Sequence, residues 1–198
     1  MAEASLEIDP SSFHMVNIAD TCAVWNVLSS LRLFSVAKAA GCHFGVTAFV
    51  HYECLVKKRG VLKEFDKTLM DRLRKVQREG AFEIHATTLD DLQRVAQLEE
   101  RKKLGKGELS SIVFAMKTGQ AFMTDDQRAR KLAHEVGHTK VQTTPHLLAW
   151  LFFTGRLSEG DKAPIIQQHV EMGQILKPYF ERAHSMALNA IMHTKPRP

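Results

Sequence analysis

Cysteine is scarce. The 198-residue chain carries only Cys22, Cys42 and Cys54, an odd set without CxxC spacing, which excludes a disulfide scaffold and reads as idle thiols in a reducing cytoplasm. Glycine (11) and proline (6) are too few for a collagen-like or low-complexity chain. Long apolar runs are missing as well: the longest uninterrupted one, residues 147–153, is far too short to cross a bilayer. The opening MAEASLEIDPSS has no basic patch followed by an apolar stretch, so no secretory signal is expected there. Neither sign of charge dominates. Lys plus Arg number 27 against 22 Asp plus Glu, a net charge of +5 that is compatible with an anionic partner without establishing one.

What remains, 44% hydrophobic and 25% charged, suits a chain that buries a real core. No repeat or linker divides it, so residues 14–160 are expected to form one unit, with residues 161–198 as a helical extension packed on it. Short apolar runs alternate with helical periodicity. Residues 16–19, 43–46, 82–85 and 121–124 read as strands, and Val141 sits in a short fifth. Helices are expected over 21–40, from Thr47 toward Gly60, over 62–78, 88–103, 107–117 and 126–135, from Pro145 to Gly155, and over 163–192 with Pro178 kinking it or starting a second helix. Strands alternating with helices predict an α/β/α sandwich around a mainly parallel, Rossmann-like sheet.

In such sheets the ligand crevice lies beyond the carboxyl ends of the strands. Asp20 directly follows the first strand, and Asp125 and Asp126 follow the fourth. Glu108 opens the helix before that strand, and Glu53 lies two turns into the helix after the second. Taken singly, the aspartates are ordinary helix N-caps and Glu108 an ordinary partner of a helix dipole. Gathered in one crevice they repel one another unless a cation sits among them. An all-carboxylate site suits a hard dication, Mg2+ or Mn2+, able to generate a nucleophile and to neutralise charge on a phosphodiester.

The ordered segments VNIADTCAVWNVL, TAFVHYECL and GKGELSSIVFAMKTGQAFMTDDQRARKLA resemble a PIN domain over residues 16–157. That family comprises metal-dependent nucleases, many of them the ribonuclease toxins of toxin–antitoxin pairs. The resemblance implies a catalytic set of Asp20, Glu53, Glu108 and the Asp125–Asp126 pair. Within it, Asp20, Glu108 and either Asp125 or Asp126 would be the metal ligands, and Glu53 would complete the ring and orient the attacking water. Thr21 and Thr124 are the hydroxyls expected beside them. The implied partners are an RNA substrate, an antitoxin protein and a second copy of the chain; the implied location is the cytoplasm.

A basic rim fits an RNA substrate: Lys57, Lys58 and Arg59, then Lys106, then Arg128 and Arg130 lie near the acids in the chain, where phosphate contacts give affinity without sequence reading. Trp25, Phe49 and Tyr52 are able to stack on bases, but their helical spacing points to core packing. A rival chemistry is written in His134-Glu135-Val136-Gly137-His138, a literal HExxH that on a helix would hold Zn2+ with Glu135 as the base of a peptidase. Gly137 stands where the helical pattern stops, which places His138 past the helix end. A third reading is a catalytically silent module of the same fold that binds RNA or protein.

Overall fold

The computed structural model describes residues 8–57 and 60–194. Its centre is a five-stranded sheet in the order β3-β2-β1-β4-β5, every pairing parallel. The strands are β1 (Val16–Ala19), β2 (His43–Thr47), β3 (Glu83–His85), β4 (Ala121–Met123) and β5 (Val141–Gln142). Ten helices cover the two faces, giving the expected three-layer sandwich: α1 (Thr21–Ser29), α2 (Leu31–Ala39), α3 (Ala48–Leu55), α4 (Glu64–Arg78), α5 (Leu89–Arg101), α6 (Lys106–Thr118), α7 (Gln127–Glu135), α8 (Thr144–Phe153), α9 (Glu159–Glu171) and α10 (Lys177–Thr194). Among the described residues no helix is long and apolar enough to cross a membrane.

Parallel pairing demands apolar residues on both faces of the central strands, and the sequence provides them. Ile18, Phe122 and Met123 are completely buried. Ile18 and Phe122 join Leu109, Ile112 and Leu132 under α6 and α7, whereas Ala19 and Met123 belong to the larger cluster under α1, α2, α4, α8 and α10. Each fully buried Leu or Ile contributes about 1.5–3 kcal/mol.

The single helix expected over residues 21–40 is two. Ser30 stands between them in extended conformation (φ −116°, ψ 114°), and its hydroxyl accepts from the Leu33 amide at 3.2 Å. A serine that caps the following turn competes with the helical bond it would otherwise sit inside, so the continuous apolar periodicity conceals a break. Phe82 lies before β3 rather than in it. Its φ of 52° is rare for a bulky residue, and it is held between the rings of Phe34 and Phe44. The C-terminal stretch is also two helices, parted after Glu171, with Pro178 in the first turn of α10 where its missing N–H costs nothing. Ile165, Leu176, Phe180, Ala183 and Ala187 of this stretch share the larger core cluster.

Candidate metal centre

Strand register decides which side chains meet at the carboxyl edge. Ala19 pairs with Met123, so Asp20 and Thr124 leave the sheet side by side, and the Asp20 amide donates to Met123 O at 3.1 Å. Asp20 caps α1: its Oδ1 accepts from the Ala23 amide at 2.9 Å and from Cys22 Sγ at 3.0 Å, and Thr124 Oγ1 donates to Oδ2. The residue has no solvent exposure. Desolvation pushes its carboxyl up to about 7 despite the hydrogen bonds from Cys22, Thr124 and Ala23, and the nearby Asp125 adds to the rise. Burial and the same two carboxylates also raise the Cys22 thiol, which stays protonated and uncharged.

The two consecutive aspartates diverge. Asp125 turns into the scaffold, where Oδ2 accepts from Asn26 Nδ2 at 2.8 Å and Thr144 Oγ1 at 2.6 Å, and Oδ1 from the Thr144 amide at 2.9 Å. It thereby satisfies one of the orphan amides at the start of α8. Asp126 turns to the crevice side. It caps α7 through Oδ1, accepting from the Arg128 and Ala129 amides at 2.6 and 3.1 Å, and Thr124 Oγ1 accepts its own amide at 3.1 Å. One hydroxyl, that of Thr124, therefore links Asp20 to Asp126.

The glutamates come from α3 and α6. Thr47 at the end of β2 caps α3, and its hydroxyl shares a 2.7 Å hydrogen bond with Ser110 Oγ; Ser111 Oγ donates to Ala19 O at 3.4 Å. These contacts pin α6 against the ends of β1 and β2. Glu53 then reaches across, accepting from Thr21 Oγ1 at 2.7 Å through Oε2 and from the Gly107 amide at 3.2 Å through Oε1. Glu108 folds back over Gly105 at the start of α6. Its Oε2 is buried without a hydrogen-bond partner. Burial raises the Glu108 carboxyl. Its own amide opposes that rise, the Glu53 and Asp126 carboxylates reinforce it, and Lys57 weakly offsets it. A buried, unpartnered carboxylate oxygen amid further carboxylates is what a hard cation would satisfy.

The structure thus brings Glu53, Glu108 and Asp126 into one electrostatic neighbourhood, linked to Asp20 through Thr124 and Thr21, whereas Asp125, close enough to Asp20 to raise its carboxyl, is tied up by Asn26 and Thr144. Among the described residues no three His, Cys, Asp or Glu side chains are arranged to hold a metal ion. Of the basic residues, Lys57 and Lys106 are exposed beside Glu53 and Glu108. Arg128 donates to Lys103 O, Arg130 to Asp125 O at 3.1 Å, and both line a groove of about 1060 Å³ with Lys131 and Lys102. Lys58 and Arg59 lie outside the described residues. Trp25 packs against the core as expected, but Tyr52 does not: half of its surface is exposed, and with Phe49 and Glu53 it lines a slot.

The HExxH string is not a helical metal site. α7 ends at Glu135, Gly137 turns the chain at φ +86°, and His138 is buried beyond the helix while His134 is exposed. Glu135 pairs with Lys102 and Lys131 at 3.7 and 3.9 Å.

Asn26, Thr144 and Gly107 escaped the sequence reading. Asn26 had a visible signal, a lone amide in the apolar face of α1. Gly107 acts through its backbone amide, which no side-chain pattern reveals, and Thr144 through its amide and its hydroxyl together, which meet Asp125 only in the fold. Comparison with known family models and with curated proteins found no match.

Proposed function

We propose that the protein is a divalent-cation-dependent endoribonuclease whose reacting centre is the crevice between the β1, β4 and α6 ends. The observation that carries this reading is the buried, unpartnered Glu108 Oε2, on a carboxyl that the nearby Glu53 and Asp126 carboxylates push up further. Asp20, Glu108 and Asp126 would hold Mg2+ or Mn2+. A bound dication would supply water activation and charge neutralisation at the phosphodiester.

The chain's own residues do the rest. Glu53, fixed at both oxygens by Thr21 and Gly107, is poised to accept a proton from the attacking water and align it. Thr124 fixes the spacing of Asp20 and Asp126 through its hydroxyl. Lys57, Lys106, Arg128 and Arg130 draw the phosphate backbone over the acids without reading sequence. Without a bound cation the Asp20 carboxyl sits near 7, a value that a dication held there would lower.

The test is cleavage of single-stranded RNA with Mn2+ or Mg2+, with EDTA as the control. Wild-type protein should cleave. Asp20→Asn and Glu108→Gln should lower the rate at least 100-fold, while Glu135→Gln should leave it unchanged. RNA left intact by wild-type protein under all cations would defeat the nuclease reading in favour of a silent binding module. Peptide hydrolysis with Zn2+ that is lost in Glu135→Gln would transfer the assignment to the HExxH segment. A role as the toxin of a toxin–antitoxin pair rests on the resemblance alone and predicts growth arrest on induction, relieved by Asp20→Asn.

A further inference from the structure

Building on the nuclease reading of the crevice, we propose that the slot between α3 and α5 is a subsite for one unpaired nucleobase of the RNA, which restricts the protein to single strands. The slot has a volume of about 490 Å³, within the range of small-ligand sites. Phe49 and Tyr52, one turn apart on α3, form one wall. Thr87 and Leu92 approach from the α5 side, and Gly105 and Lys106 close the end nearest Glu108. Tyr52 is 51% exposed and Leu92 42%, so two large hydrophobic side chains of the lining stand open to water.

The lining selects its occupant by chemistry. An apolar protein side chain would cover Phe49, Tyr52 and Leu92 but make no use of the two ammonium groups, Lys57 and Lys106, against the single carboxylate of Glu53 in the lining. A free phosphate would meet the lysines and leave the rings in water. A nucleotide satisfies both: its base stacks on the aromatic wall while its phosphate lies against the two lysines. Glu53 belongs to the slot and to the acid cluster at once, so a base seated there leaves its own sugar–phosphate link beside the carboxylates. In a duplex the bases are stacked internally and cannot enter such a slot, whereas single strands splay them out.

The experiment measures binding of fluorescein-labelled RNA hexamers to the wild-type protein in EDTA, which stops cleavage, by fluorescence anisotropy. Loss of a base–aromatic stack corresponds to an affinity change of about ten-fold or more. Tyr52→Ala and Leu92→Ser should each weaken single-strand binding by that factor, with duplex binding unchanged and Tyr52→Phe close to wild type. An abasic nucleotide at one hexamer position should weaken wild-type binding equally and have little further effect on Tyr52→Ala. Thermal melts check that the variants, altered only at exposed positions, remain folded. Hexamer binding that ignores both substitutions, or that falls equally for duplex and single strand, overturns the base subsite, and so does a protein partner whose capture alone is lost. Wild-type cleavage with Mn2+ then keeps the nuclease reading intact; a wild-type protein that neither binds nor cleaves RNA removes both.

Discussion

Asn26 Nδ2 donates to Asp125 Oδ2 at 2.8 Å, joining the buried face of α1 to the turn between β4 and α7. With the two bonds from Thr144, that contact makes Asp125 a bracket for three elements and leaves Asp126 to face the acids. The neighbours should therefore fail differently. Asp125→Ala strands the Asn26 amide and the Thr144 N–H and is expected to cost about 2–4 kcal/mol of stability. Asp126→Ala loses a helix cap, about 1 kcal/mol, but should abolish cleavage and the protection that Mn2+ gives against melting. Urea denaturation and Mn2+-dependent melting of the two variants check this split; equal stability losses would contradict it.

Gly107 offers a sharper contrast between stability and activity. A glycine-to-alanine change within a helix is ordinarily worth up to about 1 kcal/mol in favour of alanine. Here a Cβ would run into the Glu53 carboxylate and stand 3.2 Å from Thr21 Oγ1. Gly107→Ala should push Glu53 off its amide, reduce cleavage about 10–100-fold and change the melting temperature little. A variant with undiminished activity would show that Glu53 need not be held by α6.

Asp20 sets a pH dependence of the metal-free protein. Its folded-state pKa, about 7, exceeds the ordinary value of 3.8, so the folded chain binds the extra proton between those limits. Stability is then lost as pH rises from about 4 through 7. Asn cannot ionise and caps a helix as well as Asp does. In EDTA, the melting temperature of Asp20→Asn relative to wild type should rise by at least about 3 °C between pH 5 and pH 8. Added Mn2+ should reverse the ranking at pH 8 by stabilising wild type alone.

His169 acts in the opposite sense. The Leu176 amide donates to its Nε2 at 3.1 Å, so Nδ1 carries the proton and donates to Ser29 Oγ at 2.6 Å. Burial lowers its pKa from 6.5 to about 4. The unfolded chain takes up a proton first as pH falls, so stability is complete above about 6.5 and declines toward pH 4 by about 3 kcal/mol. His169→Asn should start less stable and lose less over that range, as followed by denaturation at pH 7, 5.5 and 4.5.

Much of this arrangement was legible in the residues, and the exceptions share a cause. β1 and β4 announced themselves because buried parallel strands are short apolar runs, and Asp20 and the undivided Asp125–Asp126 pair followed from their places just after them. Gly80, Gly119 and Gly137 marked helix ends because each adopts positive φ. The break at Ser30 was hidden because its cap hydrogen bond leaves the apolar period intact. The opposed fates of Asp125 and Asp126 depend on Asn26 and Thr144, distant in sequence. The slot escaped too: Phe49 and Tyr52 fit a core stripe equally well, and the exposure of Tyr52 is a property of the assembled fold.

α8 is apolar almost all round, with Leu147, Leu148, Ala149 and Leu151 completely or almost completely buried, and its main cover is α10, the last helix of the described residues. Until α10 has been synthesised, a greasy rod adjoining Asp125 stands bare. Truncation that removes α10 should therefore yield insoluble protein rather than a smaller folded unit, and the crevice wall that α8 supports through Thr144 assembles only once α10 has docked.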